Sequence, residues 1–175
     1  MGIEMAVFAA LLVVMALVLI YTLKTGISPH PTSPSVKAAL LAALPERLEG
    51  DVFELGSGWG TLAFPLAARF PHCRVEAFEL SPLPWLVSRL RLLFQPLPNL
   101  AIHRRDFHRA PLGGAALVTC YLHPEGMERL KAKFEAELAP GTWVLCNAFA
   151  VSGWTPYAEW IVQDWRRSKV YLYKV

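Results

Sequence analysis

Seven consecutive residues, Glu54-Leu55-Gly56-Ser57-Gly58-Trp59-Gly60, combine an acid with three glycines at alternate positions. Glycines let a backbone approach a ligand closely, and the free N–H groups of a helix start attract an anion. A second acid, Glu79, stands 25 positions beyond Glu54, where a carboxylate at the end of the next strand accepts both hydroxyls of a ribose. A third, Asp106, precedes Phe107, and a carboxylate with an aromatic ring can bracket an adenine by hydrogen bond and stacking. Each has a plainer reading alone: a glycine turn, a cap for the helix starting near Pro82, a surface turn. Three such positions at three successive strand ends point to one nucleotide-like ligand, because open α/β sheets bind ligands at those ends. The G-x-G-x-G spacing is not the dinucleotide G-x-G-x-x-G, and no Lys-Ser or Lys-Thr follows to make a P-loop.

The elements that must position these residues alternate. Asp51–Leu55 reads as a strand, followed by the glycine turn and a helix from about Trp59 to Phe70, in which Pro65 is awkward. Arg74–Glu79 is a second strand. Leu83, Leu86, Val87, Leu90, Leu93 and Phe94 recur at helical spacing, with Ser88, Arg89 and Arg91 on the other side. Leu100–His103, Ala115–Tyr121 and Thr142–Phe149 are three further strands, and Pro124 opens a helix that Pro140-Gly141 stops. Ala158–Trp165 and Lys169–Val175 form a closing hairpin. This alternation predicts an α/β domain with a mostly parallel sheet and an antiparallel C-terminal hairpin.

The composition is split. Hydrophobic residues make up 54% of the 175 and charged residues 18%, against roughly 25% charged in an ordinary chain, which excludes intrinsic disorder. Of the charged residues only Glu4 lies in the first 23 positions, and Met5–Leu23 is nineteen residues without a charge. As a helix it reaches about 28 Å, close to the thickness of a bilayer core. No basic stretch precedes it, and Tyr21-Thr22-Leu23-Lys24 makes a poor cleavage site, so a permanent anchor fits better than a signal peptide. Lys24, Lys37 and Arg47 follow the span, which puts the remaining domain in the cytoplasm. Cys73, Cys120 and Cys146 form no C-x-x-C pair and read as small buried hydrophobes on a reducing side. The five histidines do not cluster, so no metal site is expected. Thr25–Ser35 carries Pro29, Pro31 and Pro34 and reads as an irregular linker, after which Ser35 caps a short helix through Leu44. The segments are therefore an anchor over 1–24, a linker with a short helix over 25–50, and an α/β domain over 51–175.

The E-x-G-x-G-x-G pattern resembles motif I of the class I methyltransferases that use S-adenosylmethionine (SAM), and the seven-strand reading with its terminal hairpin is similar to their Rossmann-like sheet. That resemblance covers about 125 residues, from Asp51 on. It implies SAM as cofactor, held by Glu54, Gly56, Ser57, Gly58, Gly60, Glu79, Leu80, Asp106 and Phe107. The glycine loop would wrap the methionine moiety, Glu79 would hold the ribose, and Asp106 with Phe107 would meet the adenine. A narrower likeness lies in Glu79-Leu80-Ser81-Pro82, in Pro84-Trp85-Leu86-Val87-Ser88-Arg89 and in Gly153-Trp154-Thr155-Pro156. These look like stretches of the membrane-anchored protein-lysine methyltransferases of mitochondria and their bacterial relatives. That family also sets one transmembrane helix and a Pro-Thr/Ser segment before the catalytic domain. This chain departs from it in being shorter, in carrying Trp59 where the loop has an aspartate, and in having Tyr121-Leu122-His123-Pro124 after the fourth strand.

The resemblance implies transfer of a methyl group to lysine of a membrane protein, by a single-pass protein of a bacterial inner membrane rather than a mitochondrial one. Tyr121 and His123, at the end of the central strand, are candidates to position or desolvate the amine. No Asn-Pro-Pro-Tyr motif stands there, which argues against adenine or amide nitrogen as acceptor, and no nucleic acid partner is expected. A lipid headgroup or small molecule remains as an alternative acceptor, as does a non-catalytic nucleotide-binding module at the membrane. The basic stretch His103-Arg104-Arg105 with His108-Arg109 could meet anionic lipid or an acidic partner, but a solvated loop is the plainer reading. Trp154 and Trp160, with the short linker, would hold the catalytic face near the bilayer.

Overall fold

A computed structural model describes residues 2–25 and 31–175, with the side chains of 24 and 25 left aside. The first five residues of the proline-rich linker after Thr25 lie outside the described residues. Helix α1 (Gly2–Thr25) is apolar on every side and is long and apolar enough over Gly2–Leu23 to cross a membrane. None of its described side chains enters either core cluster of the domain. It stands out from the domain and touches it chiefly through helix α4.

Helix α2 (Pro34–Ala43) is capped by Ser33, whose hydroxyl accepts from the Val36 N–H at 3.3 Å. The cap expected at Ser35 is displaced two residues earlier because Pro34, lacking an N–H, suits the first helical position. Val36, Leu40 and Leu44 are buried in the same core as the sheet, so α2 packs as part of the domain although it lies in the segment read as linker.

Seven strands form one sheet in the order β3-β2-β1-β4-β5-β7-β6. Their ranges are β1 Asp51–Leu55, β2 Val75–Phe78, β3 Leu100–His103, β4 Ala115–Cys120, β5 Trp143–Asn147, β6 Ala158–Ile161 and β7 Lys169–Lys174. The first five run parallel, and β7 enters antiparallel between β5 and β6. The central strands are buried on both faces, as a sheet with helices on each side requires. Helices α2, α3 (Ala63–Arg69) and α4 (Pro82–Phe94) cover one face, and α5 (Pro124–Glu137) covers the other with Met127, Leu130 and Phe134.

Three local readings are corrected. Helix α3 begins at Ala63, not near Trp59, since the three glycines keep the chain turning through Leu62. Pro65 thereby falls in the first turn, where no N–H is needed, and its awkwardness disappears. The terminal hairpin is shorter than expected, with β6 ending at Ile161. The third correction is Trp154, which packs between Phe134 and Tyr173 and donates to Glu135 at 3.3 Å, serving the domain's own packing on the α5 face. The direction of α4 was left open by its periodicity. A helix ordinarily turns its apolar stripe to the core, yet here Pro84 and Ser88 are buried while Leu86, Val87, Leu90, Leu93 and Phe94 are exposed. Trp85 fixes this rotation by donating from Nε1 to the Ile102 carbonyl at 3.4 Å.

Candidate active site

Strand β1 ends in the glycine loop, and β2 lies beside it in parallel register, Leu55 opposite Phe78. The N–H groups of Gly56 and Ser57 both donate to the Phe78 carbonyl, at 2.9 and 2.8 Å, which bends the chain sharply off the strand. Gly56, Gly58 and Gly60 all have positive φ (82°, 54° and 71°), a region that L side chains rarely adopt. At Gly58 a Cβ would meet nothing within 4 Å, so the loop faces open space, while at Gly60 it would press on Phe64 at 3.1 Å. The space before Gly58 is therefore open, and Gly60 is required for packing.

Glu79, one residue past β2, reaches back onto this loop. Its Oε2 accepts from the Gly58 N–H at 2.8 Å and its Oε1 from the Ser81 N–H at 2.6 Å. The helix-capping alternative is therefore realised, and lone pairs remain on the carboxylate for a further donor after these two hydrogen bonds. Ser88 of α4 completes the support. It is fully buried and its Oγ lies 3.1 Å from the Gly58 carbonyl and 2.9 Å from that of Pro84. The sequence placed Ser88 on the polar side of α4, and that side is the one turned to the loop.

Glu54 lies beneath the loop, wholly buried. Burial first, and the nearby charge of Glu79 second, push its carboxyl up to about 8. Its Oε2 has no hydrogen-bond partner among the described residues, and neither do Ser57 Oγ nor Asn147 Oδ1. All three residues line one cleft of about 470 Å³, counting the solvent at its mouth, together with Gly56, Gly58, Thr119 and Tyr121. Three orphaned polar atoms around one cleft are costly unless a ligand or water meets them.

Asn147 was not legible as a site residue. It is placed by register: Cys120 pairs with Cys146, so the residues that follow them, Tyr121 and Asn147, stand side by side at the ends of β4 and β5. Alternation puts both on the face shared by Thr119 and Leu145, which also line the cleft. The Tyr121 ring stacks on Phe149 with centroids 6.3 Å apart. His123 is elsewhere engaged. It caps α5, its Nδ1 accepting from the Gly126 N–H at 3.1 Å, and it is not among the residues lining the cleft.

Leu80, Asp106 and Phe107 follow β2 and β3 on the same edge of the sheet. The Asp106 Oδ1 accepts from the His108 N–H at 2.9 Å and starts a short 3-10 turn, Phe107–Arg109. Among the described residues no hydrogen bond or ring contact ties Asp106 or Phe107 to the glycine loop, so the structure brings Glu54, Gly56, Ser57, Gly58, Glu79 and Tyr121 together and leaves this pair at the rim. The nearby Glu76 is partly buried, which would raise its carboxyl. Hydrogen bonds from Arg74 and His103 outweigh that and hold it below the ordinary carboxylate range.

A sheet of this order, with an acid-and-glycine loop after its first strand and a carboxylate after its second, defines a class I methyltransferase, with SAM as methyl donor. The residues present fit that cofactor: it carries a sulfonium and an ammonium, and the cleft offers a buried carboxylate oxygen lacking a partner and open space before Gly58. The chain belongs to the ANTKMT methyltransferase domain family, which it matches over residues 54–158. It is 28% identical over 161 residues to a protein-lysine N-methyltransferase of Saccharolobus islandicus, covering 84% of this chain and 95% of that one. It is 32% identical over 113 residues to the adenine nucleotide translocase lysine N-methyltransferase of Mus musculus, covering 62% of this chain and 48% of the mouse protein. The chain thus spans about half the length of the mouse relative. Among solved structures, an RNA methyltransferase from Salinibacter ruber in complex with S-adenosylhomocysteine superposes with a TM-score of 0.74 at 23% identity, covering 83% of this chain and 94% of that one. At that identity the likeness concerns the fold.

Proposed function

We propose that this protein transfers a methyl group from SAM to lysine side chains of a protein substrate, from a domain held at a membrane by α1. The observation that carries the acceptor is Asn147 Oδ1, a buried acceptor without a partner beside Tyr121 in the cleft of the glycine loop. An amine N–H is the donor that such an oxygen lacks. The two relatives described above, both protein-lysine N-methyltransferases by name, support lysine as the source of that amine.

When bound, SAM supplies an electrophilic methyl group on a sulfonium. Gly56, Ser57, Gly58 and Gly60, with Glu54, would hold its methionine part, Glu79 and Leu80 its ribose, and Asp106 with Phe107 its adenine. The chain's remaining work is alignment, because a direct displacement needs nucleophile and methyl held in line. Tyr121 and Asn147 orient the amine, and the apolar walls of the cleft favour its neutral, nucleophilic form, since burial disfavours an ammonium. His123 acts through the helix it caps. The catalytic domain takes in α2, and the anchor is α1, with the domain on the cytoplasmic side because the basic residues follow the span.

The deciding experiment incubates the full chain with methyl-labelled SAM and native membranes. Label should enter protein and be recovered as methyl-lysine after hydrolysis. Label confined to lipid or to small molecules overturns the acceptor, and absence of label together with absence of SAM binding overturns the enzyme.

A further inference from the structure

We infer that the outward face of α4 lies in the surface of an anionic lipid bilayer, so that the domain docks flat beside its own anchor. Resting on the reading of α1 as a membrane span, the inference adds a second, independent lipid contact.

The face is apolar where water would favour polar groups. Leu86, Val87, Leu90, Leu93 and Phe94 occupy an arc of about 120° on the helix at 100° per residue. Leu93 and Phe94 are 73% and 88% exposed. Scattered surface leucines need no explanation, whereas a contiguous stripe marks an interaction surface. Arg89 and Arg91 flank the stripe on its two sides, the arrangement of a helix lying in a membrane interface with cations at the headgroups. From Ser81 to Arg105 the chain carries four arginines and no acid, which matches a negatively charged surface and would oppose docking to a basic partner.

The anchor sets the depth. Leu17, Val18 and Tyr21 of α1 meet Ser81, Pro82, Leu83 and Pro84 at the start of α4. Leu17 precedes Leu23, the last residue of the apolar span, by six residues, or about 9 Å of helix. Interfacial helices sit about 5–10 Å into the boundary between headgroups and chains, so α4 begins at the depth its apolar face requires. Arg104 reinforces this level, donating from Nη2 to the Tyr21 hydroxyl at 3.4 Å, and tyrosine is a residue of membrane–water boundaries.

The test uses the full chain carrying one introduced cysteine, Leu90→Cys, Met15→Cys or Glu128→Cys, labelled with an environment-sensitive fluorophore. Cys73, Cys120 and Cys146 are buried, and labelling of the unsubstituted chain measures any reaction there. Each protein is reconstituted into vesicles of phosphatidylcholine with phosphatidylglycerol containing brominated lipid. Quenching at both Leu90→Cys and Met15→Cys, with none at Glu128→Cys on the far face of the sheet, supports the inference. Replacing phosphatidylglycerol by neutral lipid should then reduce quenching at Leu90→Cys and spare Met15→Cys. Quenching at Met15→Cys alone overturns the docking face and leaves the span standing, and quenching at neither overturns both. Shielding of the Leu90→Cys label from aqueous iodide without lipid quenching identifies a second copy as the occupant and also overturns it.

Discussion

Glu54 is a carboxylic acid that the folded chain keeps protonated near neutrality, and its sign can be worked out. The unfolded chain loses this proton near 4.5, whereas the folded chain holds it until about 8. Between those values the native state binds the extra proton, so the group's contribution to stability declines as pH rises and is lost above about 8. Glu54→Gln should therefore gain stability relative to the parent from pH 5 to pH 8, by on the order of a few kcal/mol, in melting temperatures taken without cofactor. A cationic ligand reverses the preference and requires the ionised form. SAM affinity should accordingly rise with pH through this window, with proton release visible in calorimetry as a dependence of the heat on the buffer. A heat independent of buffer would mean that Glu54 does not meet the cation. For Glu79, which holds Gly58 and Ser81 and is proposed to meet the ribose, Glu79→Ala should weaken SAM at least about tenfold by loss of a charged hydrogen bond. Titration calorimetry reads this directly.

Among the elements, α5 separates a structural histidine from a catalytic one. His123→Ala removes an N-cap and should cost about 1 kcal/mol of stability, seen in urea unfolding, while methyl transfer per folded molecule stays close to the parent's. A large drop in turnover at unchanged stability would restore His123 to the chemistry. The site was legible where a residue's type alone suffices: three glycines that need positive φ, and acids at strand ends. Asn147 was not, since its importance comes from the β4–β5 register, which no local pattern encodes. The rotation of α4 was hidden for a related reason. Its stripe of Leu86, Leu90 and Leu93 has helical periodicity, but periodicity reports that one side is apolar, not whether protein or lipid covers it. Strands β1–β5 and β7 were recovered to within a residue or two, because β-branched and apolar runs between turn residues leave few alternatives, whereas β6 ends four residues before the expected Trp165. The turn from Gly56 to Leu62 postponed α3 because glycine favours the extra bends more than helix.

At the scale of the whole molecule, the two core clusters contain no described side chain of α1. Deleting residues 1–24 should leave the domain folded and SAM affinity unchanged, while methylation of a membrane-embedded substrate falls through loss of confinement. Rates of label incorporation in native membranes, full chain against truncated, decide this. Equal rates would remove any role for tethering, and loss of SAM binding would show that α1 supports the cleft.

Strand β7 is made after β6 yet lies inside it, between β5 and β6. During synthesis, then, β5 is the edge of an unfinished sheet until Lys169–Lys174 has left the ribosome, and β6 has no strand to join before that. Cys146 and Leu145, later wholly buried, sit on that waiting edge. Open strand edges invite pairing with other chains. α1, made before the sheet, would already be in the bilayer, spacing nascent chains along a surface while the sheet is incomplete. The order of synthesis thus makes β7 the strand that closes the sheet, and chains stalled before Lys169 should be protease-sensitive while those in which Lys174 has emerged are protected.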